Sequence, residues 1–243
     1  MGMRSAAVLH HAGLARQRGA SGAAARSAGG RRARDGARKG YRKTAAKRWK
    51  HVSAAFRAVV GFSEGANKDK DGDEKIIATT QFESTDARRA FPCWDEPECK
   101  ATFSVTLIVP ANLVALANTP EIETFQLPDN IKSVKFADTP IMSTYLLAFV
   151  VGDLTHIQKE AASGTLVGVW TTRGKEQQGR FALESSVKLL SFFNDYFGIP
   201  YPLEKLDHIA IPDFAAGAME NWGAVTYRET ALLVDPENSS AGT

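Results

Sequence analysis

The chain has 243 residues, 44% of them hydrophobic, with 30 Lys+Arg against 27 Asp+Glu. That is enough chain for one or two domains with a real core, and no run of about 18 apolar residues suggests a membrane span. The net charge of +3 hides a division. Residues 1–50 hold 14 Lys+Arg and one acid, Asp35, for a net of +13, and the rest hold 16 Lys+Arg and 26 acids, for a net of −10. Two cysteines, Cys93 and Cys99, are too few for a disulfide framework and form no C-x-x-C pair. They are expected to be free thiols.

Residues 1–50 are rich in Ala, Gly, Arg and Ser, as in Gly29-Gly30-Arg31-Arg32. Such a composition buries too little apolar surface to offset its ordering entropy and predicts disorder. Several roles stay open: an inert extension foreign to the folded protein, an organelle transit peptide, or a basic arm for nucleic acid. Nucleic acid is the least favoured. Lys68–Glu74 predicts a solvated charged loop. Its alternating acids have calcium-loop spacing, but Thr80 stands where the bidentate Glu belongs, so calcium is set aside.

Ordered structure is expected from about Ile76. Ala101–Val109 alternates Phe103, Val105, Leu107 and Val109 with polar residues, which predicts a half-buried strand ended by Pro110. Leu113–Ala117, Ser133–Phe136, Ser143–Val151 and Thr165–Thr171 are further strand candidates. The turn signals Asn118-Thr119-Pro120, Pro128-Asp129-Asn130 and Asp138-Thr139-Pro140 lie between some of them. Short punctuated strands suggest an antiparallel sandwich or saddle. From about Glu176 to Phe197 the apolar residues Leu183, Val187, Leu190 and Phe197 recur at helical spacing, with Gly198 and Pro200 as the stop. Leu206–Ile211, Val225–Tyr227 and Ala231–Val234 read as short extended segments. The fold class is therefore mainly β, followed near residue 158 by the start of an α/β region.

No H-E-x-x-H, G-x-S-x-G, P-loop or G-x-G-x-x-G occurs among the 243 residues. A lone histidine such as His208 in an apolar strand reads as a satisfied core residue. Glu220 lies in Gly217-Ala218-Met219-Glu220-Asn221-Trp222-Gly223, where glycines permit close backbone approach. An extended edge there could pair with a peptide by β-augmentation, and a carboxylate beside it could anchor a cationic amine. Glu83, after Thr79-Thr80-Gln81-Phe82, is a second such acid. Each could equally be an ordinary surface acid.

The string Phe214–Gly223 with Thr226-Tyr227-Arg228-Glu229 resembles the signature of the gluzincin zinc aminopeptidases, the group of the puromycin-sensitive and membrane alanyl enzymes. Thr80-Gln81-Phe82-Glu83 through Phe91-Pro92-Cys93-Trp94-Asp95-Glu96-Pro97, and Met142–Phe149, are similar to the same family, in the same order. The resemblance implies that residues 76–158 are the C-terminal part of an antiparallel β-saddle domain. It implies that residues 159–243 begin a thermolysin-like catalytic domain, after a disordered segment and charged loop at 1–75. It further implies that Gly217, Ala218, Met219 and Asn221 line the peptide, that Glu220 holds its α-amine with Glu83 close to that task, and that Gln81 lies near the first side-chain pocket. The partner would be a peptide with a free N-terminus, and the reaction of the family enzyme the release of N-terminal residues. Zinc is that enzyme's cofactor, but its ligands would fall after Asn238-Ser239-Ser240. The resemblance thus points to a slice of an enzyme without a complete catalytic set, expected to be inactive alone. An inactive peptide-binding short isoform is the alternative. A cytoplasmic location is expected, or a mitochondrion or other organelle if residues 1–50 are a transit peptide. The Phe91–Pro97 turn is expected to be structural, with Cys93 a buried thiol and Arg88 and Arg89 pairing with Asp95 or Glu96. Trp222, Tyr227 and Phe214 are expected to be wall or core.

Overall fold

A computed structural model of the chain describes residues 6–12, 62–68, 74–235 and 239, with side chains from residue 77 onward. Of the thirteen strands among the described residues, ten are β1 (Ala6–Ala12), β2 (Phe62–Lys68), β3 (Glu74–Thr80), β4 (Thr102–Pro110), β5 (Val114–Ala117), β6 (Glu121–Leu127), β7 (Ile131–Phe136), β8 (Phe149–Gly152), β9 (Leu154–Glu160) and β10 (Leu166–Thr172). The others are β11 (Lys205–Ile211), β12 (Ala218–Met219) and β13 (Ala224–Arg228). The α-helices among the described residues are α1 (Ala87–Ala90), α2 (Arg180–Phe197) and α3 (Glu229–Leu232).

Two four-stranded antiparallel sheets, ordered β1-β4-β7-β6 and β2-β3-β8-β5, make up the first part of the molecule. In β4 the period-two pattern becomes strict alternation of buried and half-buried residues. The buried side chains Phe103, Val105, Leu107 and Val109 enter one core with Val134, Phe136, Val150 and Phe149. A third sheet, β12-β13-β11-β10-β9, is mixed: β10, β11 and β13 run parallel, and β9 and β12 are antiparallel edges. Helix α2 connects β10 to β11, the crossover that a parallel pair requires. One face of this sheet joins the first core through Ile209, Ile211, Met219 and Ala224. The other packs Val167, Val169 and Ala210 against Leu183 and Leu190 of α2.

Several expectations change. Ala6–Ala12 pairs with β4, inside the segment whose composition predicts disorder, and Phe62–Lys68, upstream of the expected Ile76 boundary, pairs with β3. The neighbouring ladders offer edges that these short runs can use. The remainder of 1–61 and the loop at 69–73 lie outside the described residues, as do the transit-peptide, nucleic-acid and calcium readings that fall on them. Residues 143–151 are not one strand. Thr144–Leu146 is a 3-10 turn and only Phe149–Gly152 is extended. The hydroxyls explain this: Ser143 Oγ donates to Pro97 O at 2.7 Å and Thr144 Oγ1 to Trp94 O at 3.0 Å, drawing the backbone out of the ladder. Ala231–Val234 is not extended, because Glu229–Leu232 forms α3, tied back by Lys175 to Glu229 at 2.8 Å. Phe197 departs from the buried face of α2 and is 63% exposed.

Candidate functional site

The first segment follows β3. Thr80 is buried, and its Oγ1 accepts the Phe149 amide at 3.1 Å. Phe82 is fully buried and meets the rings of Phe91 and Phe149 edge-on, each with centroids 6.0 Å away. Such pairs add to the burial energy. Asp86 N closes a turn onto Phe82 O at 3.0 Å, so Glu83 stands exposed on a turn whose root is fixed. Gln81 is half-buried, and its Oε1 is shut from solvent with no hydrogen-bond partner among the described residues. A buried amide oxygen left unpaired is costly.

The Phe91–Pro97 turn supports that segment. Asp95 is buried and accepts from Arg88 N at 3.0 Å and Arg88 Nε at 3.2 Å, while Arg88 Nη2 donates to Asp95 O. Arg88 also reaches Glu96 at 3.4 Å, whereas Arg89 pairs with Asp86 instead. The Asp95 carboxylate holds the exposed Arg88 guanidinium above its ordinary value. Cys93 is half-buried, and burial, with Asp95 adding to it, pushes its thiol up to about 12. A thiol held protonated is a poor nucleophile, which fits a structural role.

The second segment is an edge hairpin. Ala218 and Met219 pair with Tyr227 and Thr226 of β13, and among the described residues the other edge of β12 carries no partner strand. Exposure alternates: Ala218 and Glu220 are exposed, Met219 and Asn221 buried. Ala224 N bonds Asn221 O at 3.0 Å, closing a turn with Gly223 at φ +73 in the third place, where a turn of this kind requires glycine. Gly217 has open space around it, and its carbonyl accepts Arg228 N at 3.0 Å. Arg228 also donates to Phe214 O at 2.9 Å and Ala215 O at 2.5 Å, pinning the entry to the edge. Of the two glycines, Gly223 is the one that another backbone approaches. A Cβ there would lie 2.0 Å from Asn118 O.

The two segments share one body. Phe82 and Met219, each beside one of the two acids, lie in the same hydrophobic core. Phe214 is buried, Tyr227 half-buried, and Trp222 39% exposed at the rim. His208 is satisfied on both nitrogens, by Ser186 Oγ at 2.6 Å and Tyr227 OH at 3.2 Å, and burial lowers its pKa to about 4 against the pull of Asp207. His156 stacks on Trp170. Among the described residues no three His, Cys, Asp or Glu side chains cluster to hold a metal, so the donor set present does not fit zinc. Two residues that motif reading passed over bear directly on the second segment. Asn118 donates to Trp222 O at 2.8 Å, and Lys205 donates to Gly223 O at 2.6 Å.

No helix among the described residues is long and apolar enough to cross a membrane. Residues 54–146 match the Peptidase M1 N-terminal domain and residues 181–243 the Peptidase family M1 domain. The first match starts upstream of the Ile76 boundary expected from sequence. Among relatives, Aminopeptidase M1 of Arabidopsis thaliana is 55% identical over 71% of this chain and 20% of its own length. Puromycin-sensitive aminopeptidase of Caenorhabditis elegans is 55% identical over 72% of this chain and 19% of its own. Aminopeptidase N of Canis lupus familiaris is 49% identical over 71% and 18%. The chain spans about a fifth of the length of these curated relatives. With both domain matches in the family's order and the two motif segments joined in one core, the chain belongs to the M1 aminopeptidase family.

Proposed function

We propose that this chain carries the amine-recognition half of a zinc aminopeptidase site and binds peptides by their free N-terminus. The observation that carries this is the pairing of an open edge strand, β12, with the exposed carboxylate of Glu220 at its end. A peptide backbone can add to the edge, and Glu220, with Glu83, holds the ammonium by charge-assisted hydrogen bonds. Gln81 supplies a polar contact near the first side chain, and Gly217, Ala218, Met219 and Asn221 shape the backbone track. Holding the amine sets the register, so that the first peptide bond alone is presented for cleavage. An internal bond brings no cation to these acids and is refused.

Hydrolysis belongs to the family enzyme. The motif that supplies the zinc ligands and the base in that enzyme, H-E-x-x-H, does not occur among these 243 residues. The chain itself is then a binder without turnover, in the cytoplasm, or in an organelle if residues 1–50 direct it there. We take the division between saddle and catalytic regions to fall between β8 and β9, a few residues before the 158/159 boundary expected from sequence, because the strand pairing changes sheet there.

Calorimetric titration tests this with tetra-alanine amide and its N-acetyl form. The free amine is expected to bind at least about tenfold more tightly, a difference of about 1.4 kcal/mol, and Glu220→Ala should abolish the difference. Equal affinity for the two peptides would refute amine recognition. Stoichiometric zinc with turnover of an aminoacyl arylamide would refute the assignment of hydrolysis elsewhere.

A further inference from the structure

Asn118 is almost fully buried, and its side chain bonds only to backbone. Its Nδ2 donates to Leu146 O at 2.8 Å and to Trp222 O at 2.8 Å, and its Oδ1 accepts from Ala148 N at 2.9 Å. Three of the four bonds a primary amide can make are thereby satisfied. Trp222 is 104 residues away along the chain and two past Glu220. Ala148 is followed by Phe149, whose amide donates to Thr80 Oγ1, one residue before Gln81 and three before Glu83. One buried amide thus stands midway on a hydrogen-bonded route between the two carboxylate segments.

The backbone agrees with the side chain. Gly223 has φ +73, and its missing Cβ leaves room for Asn118 O, which a Cβ would meet at 2.0 Å. That close approach brings Trp222 O within reach of the amide. Lys205, half-buried and paired with Asp207 at 2.6 Å, donates to Gly223 O at 2.6 Å, and Asp207 N donates to the same carbonyl at 3.1 Å. The turn after Glu220 is held by these side-chain donors together with the Asp207 amide. The β11–β13 ladder holds one side of this turn through Asp207 N and Gly223 O, and Asn118, just past the end of β5, supplies the hold from the first part of the molecule.

We infer that Asn118 is a positioning residue that fixes the strand carrying Glu220 against the strand pair that leads to Glu83, and so sets the spacing of the amine-binding acids. This rests on the amine-recognition reading above. The chemistry requires an amide. An aspartate keeps the volume and the acceptor for Ala148 N, but it replaces two donations with oxygen facing the carbonyls of Leu146 and Trp222. A shift of about 1 Å in a group that must meet a ligand atom costs far more than the local contact suggests.

The test uses the whole 243-residue protein with Asn118→Asp and Asn118→Ala. Amide hydrogen exchange should quicken at least tenfold over residues 217–228 in both variants and stay within twofold over β10 and α2. The preference for tetra-alanine amide over its acetylated form should fall at least fivefold, with cooperative unfolding retained. Unchanged exchange over 217–228, or an unchanged preference in a folded variant, would overturn the inference. Should Asn118→Ala fail to fold, Asn118→Asp decides. Failure of both would make Asn118 a determinant of the whole fold and refute a positioning role. If the unsubstituted protein does not distinguish the two peptides, the amine reading fails by itself, and exchange over 217–228 still decides what Asn118 does.

Discussion

Glu83 and Glu220 are both exposed acids, yet they are presented by opposite means. Glu83 stands on a turn rooted by a fully buried aromatic ring, Phe82, between Phe91 and Phe149. Glu220 follows the two-residue edge strand β12, between buried Met219 and Asn221, and its turn is held by hydrogen bonds from Asn118, Lys205 and the Asp207 amide. Apolar burial is non-directional and indifferent to pH, so the first acid inherits the rigidity of the core. Hydrogen bonds are directional, and they place the second acid with less buried area. The second segment should accordingly be softer to truncation and more sensitive to the ionisation of groups near it.

The largest expected effect tests the apolar half. Phe82→Ala should destabilise the chain by about 3–5 kcal/mol, the range for an aromatic removed from a packed core. Met219→Ala should cost less, near about 2 kcal/mol, because a short edge hairpin can settle into the space left. Urea unfolding of both variants checks the order. A larger loss at Met219 would reverse the comparison, making the edge hairpin the rigid partner.

Acid should act on the side of the molecule that carries Glu220. His208 lies on β11, which pairs with β13, and packs against Ser186 and Tyr227, with Asp207 beside it. Burial lowers its pKa from 6.5 to about 4. The folded state therefore favours the neutral ring, and below pH 6.5 the unfolded chain binds the proton more readily. The contribution is complete above pH 6.5 and is lost as pH falls toward 4, amounting to about 3 kcal/mol at the low end. His208→Gln should flatten the stability profile between pH 4 and 6.5, measured by denaturant midpoints. A profile that is equally steep in this variant would assign the acid loss to other groups.

The parts legible in the sequence are those where one physical signal dominates. Strand β4 alternates because one face is buried, and the turns at Asp129-Asn130 and Gly198 adopt the positive φ that their residue types favour. Strands β6 and β9 carried no periodic signal, since most of their side chains face solvent and nothing selects an alternation. Phe197 was expected on the buried face of α2, but the helix also carries exposed Phe192, Phe193 and Tyr196, so apolar character alone could not say which face is covered. The two motif segments were visible through family resemblance, not through composition. Asn118 and Lys205 were not visible as functional at all. An Asn before Thr-Pro reads as a turn residue, and its defining partner lies 104 residues away. Such a pairing appears only when the fold brings both backbones together.

The smallest stability effect is the most informative about function. Glu83→Gln and Glu220→Gln each remove a charge from an exposed position, and neither carboxylate is needed to satisfy a buried donor in the bonds described here. Substitutions of that kind usually stay within about 0.5 kcal/mol, so both denaturant midpoints should hardly move. Affinity for tetra-alanine amide should nevertheless fall in both, more for Glu220→Gln, because Glu220 lies directly at the end of the edge proposed to take the peptide backbone. Raising the salt should weaken the unsubstituted protein's binding and leave Glu220→Gln less affected, since screening acts on the charge pair that this substitution removes. A midpoint shift above about 1 kcal/mol would make that acid a structural group. A larger affinity loss at Glu83 than at Glu220 would transfer the amine from the polar-clamped edge to the aromatic-rooted turn.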